Sequence, residues 1–267
     1  MESPLTAITS LSNPKIKEAM KLRDGKHRRR TGKFLIDGAR ELDRALQAGI
    51  RILEIFTVNP SVSCPNVTVH PITEPVMQKI AFGDRNEGVV AVAEEPVQSF
   101  GVFEAKIGQK TCPLLAVLEG IEKPGNLGAV FRSADAAAID GMMIAGSLVD
   151  PFHSNSIRSS MGTVFQVPMV SESSDVVCCW LKDQQFQIAA AWCKENAVPY
   201  TAVDFCRPTA IVLGSEAEGL TDIWSGEGII PIMIPMSGIA DSLNVSAAAA
   251  ILFYEARRQR CLYGSTT

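Results

Sequence analysis

The sequence has no run of about 18 apolar residues free of a charge or a breaker, so no membrane-spanning helix is expected. It has no C-x-x-C pair. Its seven cysteines are an odd number, scattered apart from the adjacent Cys178 and Cys179, and His27, His70 and His153 lie near none of them. A zinc site or a disulfide framework is therefore disfavoured, no metal is expected, and a reducing, cytoplasmic compartment fits best. The opening stretch MESPLTAITSLSNPK lacks the basic-then-apolar pattern of a secretion signal. There is no surplus of positive charge, because 25 Lys and Arg stand against 29 Asp and Glu for a net charge of −4. A surface for phosphate must then be local. No G-x-G-x-x-G follows a first strand, which disfavours a dinucleotide oxidoreductase.

What is present is a core. Hydrophobic residues make up 46% of 267 residues and charged ones 20%, enough for one large or two ordinary domains and unlike a disordered chain. Residues 21–33, KLRDGKHRRRTGK, carry seven Lys or Arg against one Asp. Their two glycines suggest an exposed loop, and the density of charge in an otherwise acidic chain favours phosphate contact over plain solvation. The spacing to Gly32-Lys33 is not that of a Walker A loop. Before it, Asn13-Pro14 starts a helix. After it, strands are expected at 34–36, 52–58, 67–70 and 89–93, with helices at 38–49 and 73–80, which makes a small α/β unit. Residues 94–111 turn polar and are punctuated by Pro96, Gly101 and Gly108, so a boundary is placed there between domains 1–108 and 112–267.

The second half repeats the alternation on a larger scale. Strands are expected at 114–118, 141–145, 187–192, 210–213 and 229–233, an extended run at 164–170, and helices at 125–139, 175–183, 220–224 and 242–260. Apolar strands alternating with helices imply a parallel sheet covered on both faces, with ligands at the carboxyl ends of the strands. Three such ends carry polar groups. The first is Glu119 to Gly128 followed by Arg132. Asn126 and Arg132 lie about 240° apart on a helical wheel, so Asn126 can cap the helix while Arg132 projects two turns on. The second is Gly214-Ser215-Glu216-Ala217-Glu218-Gly219, whose glycines let a ligand approach backbone. The third runs from an apolar strand through Pro235 and a polar turn to Ser242-Leu243-Asn244-Val245-Ser246 and four alanines, where Ser242 or Asn244 can cap a helix and offer free N–H groups.

In this order the three stretches, N-x-G-x(3)-R, G-S-E-x-E-G-L and I-P-M-x(5)-S-L-N-V-S-x-A, resemble the SpoU/TrmH branch of the SPOUT RNA methyltransferases. The matching positions are Asn126, Gly128 and Arg132; Gly214, Ser215, Glu216, Gly219 and Leu220; and Ile234, Pro235, Met236, Ser242 to Ser246 and Ala248. The likeness spans about 114–255. It reaches the N-terminal unit more faintly, where KFLIDGARELDRAL looks like an RNA substrate-binding domain. Two-domain ribosomal RNA ribose methyltransferases, including the thiostrepton-resistance type, are the most similar members.

The resemblance implies an α/β fold with a deep trefoil knot in the C-terminal domain, and a homodimer. It implies transfer of a methyl group from S-adenosylmethionine to a ribose 2′-hydroxyl of structured RNA, ribosomal RNA ahead of transfer RNA. A catalytically silent RNA-binding protein of the same fold is the alternative. Asn126, Arg132, Glu216, Ser242 and Asn244 would be the catalytic set. Leu213, Gly214, Ser215, Glu216, Gly219, Ile234, Pro235, Met236, Leu243 and Asn244 would hold the methyl donor. Lys26, Arg28, Arg29, Arg30 and Lys33, with Arg158 from a segment where relatives carry a functional arginine, would meet RNA.

Overall fold

The computed structural model describes residues 7–263 other than 84–86, 109, 147–148, 193, 195 and 216–217. Two compact units divide the chain, with a first break after Pro96, inside the polar 94–111 stretch, and with residues 150–166 returning to the first unit. One is the chain up to Pro96 together with Asp150–Gln166; the other is Val97–Val149 with the chain from Val167 onward.

The first unit opens with α1 (Pro14–Lys21), where Pro14 occupies the first turn and the Asn13 side chain accepts from Lys15 N. The basic stretch is not a loop. It forms a short helix, α2 (Gly25–Thr31), capped by Asp24 and ended by Gly32 in the left-handed region. Then come β1 (Lys33–Asp37), α3 (Ala39–Gln47), β2 (Ile52–Thr57), β3 (Thr68–Pro71), α4 (Glu74–Ile80) and β4 (Val89–Glu94). The sheet order is β1-β4-β2-β3, antiparallel except for the β2/β3 pair. Ile16, Ala19 and Leu22 of the first helix and its end close over Leu35, Phe56, Val90 and Val92, with Val76, Met77 and Ile80 of α4 beside them. The 3- and 4-residue spacing of those positions is what turns each short helix onto the sheet.

The second unit contains α5 (Phe100–Ile107), β5 (Leu114–Glu119), α6 (Pro124–Ala136) and β6 (Gly141–Ala145). Next in the chain is α7 (Ser154–Ser159), which belongs to the first unit. The second unit resumes with β7 (Met169–Glu172), α8 (Ser174–Asp183), β8 (Gln187–Ala191), β9 (Val198–Pro199), β10 (Thr209–Leu213), β11 (Ile229–Met233) and α9 (Val245–Tyr263). Its seven strands are parallel in the order β7-β6-β5-β10-β8-β11-β9. Every residue of β5, β6 and β10 is buried, as a sheet covered on both faces requires. α6 packs on α9, burying Leu127, Val130, Phe131 and Ala134 of one and Val245, Ala249, Leu252, Phe253 and Ala256 of the other. Among the described residues, no helix is long and apolar enough to cross a membrane.

Candidate active site

β8, β10 and β11 lie side by side in register, so Ala191, Leu213 and Ile232 stand level at the carboxyl ends of the strands. The loops that leave these ends enclose a cleft of about 350 Å³, within the usual range for a small-molecule site. Leu213, Gly214, Ser215, Gly219 and Leu220 come from the β10 end. Ile232 to Ile234, Met236, Asp241, Ser242, Leu243, Val245 and Ala248 come from β11 and the turn into α9. Ala191 and Trp192 close it from β8.

The β10 loop is a tight closed turn. Ser215 N donates to Gly219 O and Gly219 N to Ser215 O, both at 3.1 Å, and Glu218 N donates to Ser215 Oγ at 3.0 Å. Gly214 is required here. A Cβ on it would stand 2.6 Å from Leu220 N and closer still to the Gly219 carbonyl group. Gly219, with φ +71°, takes the left-handed conformation that lets the turn close. At the third stretch Asn244 caps α9, its Oδ1 accepting from Ser246 N at 3.0 Å and Ser246 Oγ at 2.6 Å. Its Nδ2 donates to Asn126 Oδ1 at 3.4 Å, which brings the first and third stretches together.

The expected residues therefore fall into groups. Leu213, Gly214, Ser215, Gly219, Ile234, Met236, Ser242 and Leu243 line the cleft, whereas Pro235 and Asn244 do not. Glu216 lies outside the described residues. Asn126 is in the first turn of α6 and is not its cap; that position is Lys123, which makes no side-chain capping bond. Pro124 accounts for the shift, since it sets the helical φ and needs no N–H partner at the first helical position. Arg132 is exposed on α6. Val245 and Ala248 of the third motif also line the cleft, as do Trp192, Ile232 and Asp241, which the motifs do not single out. Trp192 carries a weak signal in the sequence, an indole placed at the carboxyl end of an apolar strand, with Lys194 Nζ 3.4 Å above its ring.

The basic residues split. Lys26, Arg29, Arg30 and Lys33 are exposed, with Arg30 bonded to His27 Nδ1 at 2.9 Å. Arg28 is a correction to the sequence reading. It is only 4% exposed, its Nε donates to Asp150 Oδ2 at 2.7 Å, and its Nη1 donates to the carbonyls of Leu22 and Arg23. A guanidinium held on three sides in this way is part of the interior. Arg158 sits on α7 in the first unit, half-buried, donating to Phe82 O at 3.3 Å.

Residues 113–254 match the family described as SpoU rRNA Methylase, and residues 13–91 match an MRM3-like substrate binding domain. The chain belongs to the SpoU rRNA methylase family. It is 27% identical to the 23S rRNA (guanosine(2553)-2′-O)-methyltransferase RlmP of Bacillus subtilis over 94% of this chain and 98% of that one. A crystal structure of an RNA 2′-O ribose methyltransferase shares 39% identity with a TM-score of 0.83, covering 96% of this chain and all of the other. The AdoMet-bound rRNA methyltransferase of Sinorhizobium meliloti shares 29% identity with a TM-score of 0.86, over 95% and 97% of the two chains. In this SpoU chain the three motif stretches are thus the three loops of one unit, two of them walling the cleft and the first tied to the third through Asn126 and Asn244.

Proposed function

We propose that this chain transfers a methyl group from S-adenosylmethionine to a ribose 2′-hydroxyl of ribosomal RNA, using the cleft at the ends of β8, β10 and β11. The observation that carries the reading is that cleft: apolar walls from Leu213, Ile232, Leu243 and Val245 beside a loop whose Gly214 leaves no room for a side chain. Such walls suit an adenine ring, and exposed backbone suits its polar edge. Leu213, Gly214, Ser215, Gly219, Ile234, Met236, Leu243 and Trp192 would hold the donor, with Asp241 supplying a carboxylate for a positively charged ligand.

S-adenosylmethionine supplies an already electrophilic methyl group when bound. The chain's task is the hydroxyl, a poor nucleophile while it keeps its proton. Arg132 brings five N–H donors and no acceptor, so its role in this reading is that of a donor rather than a proton acceptor. It orients the hydroxyl and stabilises the developing alkoxide by charge, while the hydroxyl proton passes to a neighbouring phosphate oxygen of the RNA. Asn126, fixed by Asn244, positions the ribose, and Ser242 lines the site where donor and ribose meet. The unit that matches a substrate binding domain carries the RNA, with Lys26, Arg29 and Lys33 on its exposed surface. A homodimer, a knotted path for the chain after β11 and a cytoplasmic location complete the reading. Support for the last is that the described cysteines are all free.

Mass-spectrometric mapping of ribose methylation in ribosomal RNA treated with the protein and S-adenosylmethionine tests the reading. A new 2′-O-methyl nucleotide is expected with the native chain. Arg132→Ala should lower transfer at least about a hundredfold at every pH, while Arg132→Lys retains part of it. An alanine variant of full activity would remove Arg132 from the mechanism.

A further inference from the structure

β5 ends in a carboxylate that opens the first polar stretch but lies ahead of its N-x-G-x(3)-R pattern. Glu119 is 2% exposed and lies at the carboxyl edge of the sheet, in register with Ala145 of β6. Both of its oxygens are engaged. Oε2 accepts from Thr221 N at 2.7 Å. Oε1 accepts from Thr221 Oγ1 at 2.9 Å and from Ser174 Oγ at 2.6 Å. Ser174 is the first residue of α8, so the negative charge also faces the positive end of that helix. Gly146, in the left-handed region at φ +57°, leaves the space the serine needs, since a Cβ there would stand 2.6 Å from Ser174 Oγ.

Thr221 directly follows the cleft loop. Its neighbour Leu220 lines the cleft, and the Ser215 and Gly219 pair ties the two sides of the turn to each other. We propose that Glu119 is a positioning residue for the methyl-donor cleft, which fastens Thr221, and with it Leu220, to the sheet and so sets the wall that S-adenosylmethionine meets. This rests on the function proposed above. Glu119 itself does not line the cleft and touches no reacting atom. Buried hydrogen bonds to an ionised group are stronger than neutral ones, and leaving Thr221 N without its acceptor would release Leu220 and Thr221 from the end of β5.

The geometry dictates an order among variants. Glu119→Gln keeps the length: its carbonyl oxygen can take Thr221 N while its amide donates to the two hydroxyls, which rotate to accept. Glu119→Asp keeps the charge but withdraws it by one methylene, out of reach of one partner. Glu119→Ala removes the tie. Titration calorimetry with S-adenosylmethionine should then give a Kd within about threefold of the native protein for Gln and at least about tenfold weaker for Asp and Ala. Turnover at saturating donor should change less than the Kd does in every variant, and RNA affinity should not change. The proposal is overturned by native donor affinity in the alanine variant, by Asp binding as the native protein while Gln fails, or by donor and RNA affinity falling together. Should the alanine variant not fold, the order of Gln and Asp still decides. Failure of the native protein itself to bind the donor would sink the functional reading first.

Discussion

Gly214 shows how much one missing side chain can decide. The backbone of Gly219 and Leu220 occupies the volume where its Cβ would be. Gly214→Ala must push the loop away from the end of β10, a backbone displacement of the kind that costs about 1–3 kcal/mol. The moved segment walls the cleft, so the cost should fall on the donor, with S-adenosylmethionine bound about tenfold or more weakly. Calorimetric titration reads this directly, and native affinity in the alanine variant would mean the loop is not part of the donor site. His153 makes a residue-scale prediction of another kind. Its Nδ1 accepts from Asn155 N at 3.0 Å and caps α7, which only a ring nitrogen without a proton can do. Burial, then the nearby Arg28, hold its pKa below 6.5, with Asp150 opposing and Arg23 adding to the effect. Above 6.5 the folded and unfolded chains both carry a neutral ring. As pH falls through 6.5 toward the lowered folded value, only the unfolded chain takes the proton, so stability drops. Glu18, held below 4.5 chiefly by its hydrogen bond with His27, loses its contribution only in more acid solution. His153→Asn retains a capping oxygen and removes the titration. Its Tm should fall less than that of the native protein between about pH 8 and about pH 5.5; equal falls would clear His153 of any role.

At the scale of elements, α2 carries the sharpest division of labour. Its basic residues read in the sequence as a uniform charged run, yet a helix turns successive residues by about 100° and cannot present them all to solvent. His27 and Arg28 face inward, and Lys26, Arg29 and Arg30 face outward. Replacing Arg29 and Lys33 with Ala should weaken RNA binding at low salt and flatten the dependence of log K on log salt by about one unit per lost phosphate contact, leaving Tm nearly unchanged. Arg28→Ala should do the opposite, lowering stability by about 3 kcal/mol because Asp150 loses a buried partner. If both variants lowered the salt slope alike, the inward placement of Arg28 would be irrelevant to function. The same physics explains what the sequence disclosed. The strands at 114–119, 141–145 and 209–213 are apolar end to end because both faces of the sheet are covered, and such runs are visible without a structure. α5 was hidden because Gly101 and Gly108 sit in it and beside it, while its helical register comes from Ser99 capping Val102 N and from Phe103 and Ile107 packing on the sheet. The cleft's loops were legible because polar residues and glycines interrupt apolar strands there. Glu119 was not, since a carboxylate at the end of an apolar strand looks like the first residue to reach water, and only tertiary partners reveal that it stays inside.

For the whole molecule, what matters is which parts of the chain complete which unit. Composition places a boundary in the polar stretch after Glu94, because linkers are read from local punctuation. Asp150–Gln166 belongs with the N-terminal unit for reasons no local pattern holds. Phe152 stacks on Phe34 with ring centroids 4.7 Å apart, and Phe165 stacks on the same ring at 6.0 Å. Asp150 pairs with Arg28, Ser154 accepts from Arg23, and Met161 O accepts from Arg44 Nη1 at 2.5 Å. A fragment ending at residue 108 would keep the family-matched 13–91 segment and still lack all of these. Phe34, buried in the full chain, would lose two aromatic neighbours, and the buried Arg28 would lose its direct ion pair with Asp150. Such a fragment should therefore melt without a cooperative transition or at a Tm far below that of the whole protein. Adding residues 150–166 back through a flexible linker should restore a cooperative melt and dispersed amide resonances. A fragment of 1–108 that melts as sharply with the added segment as without it would show that the N-terminal unit stands alone. The charge pair and the stacked rings would then be accessory to a core that β1 to β4, α1 and α4 already complete.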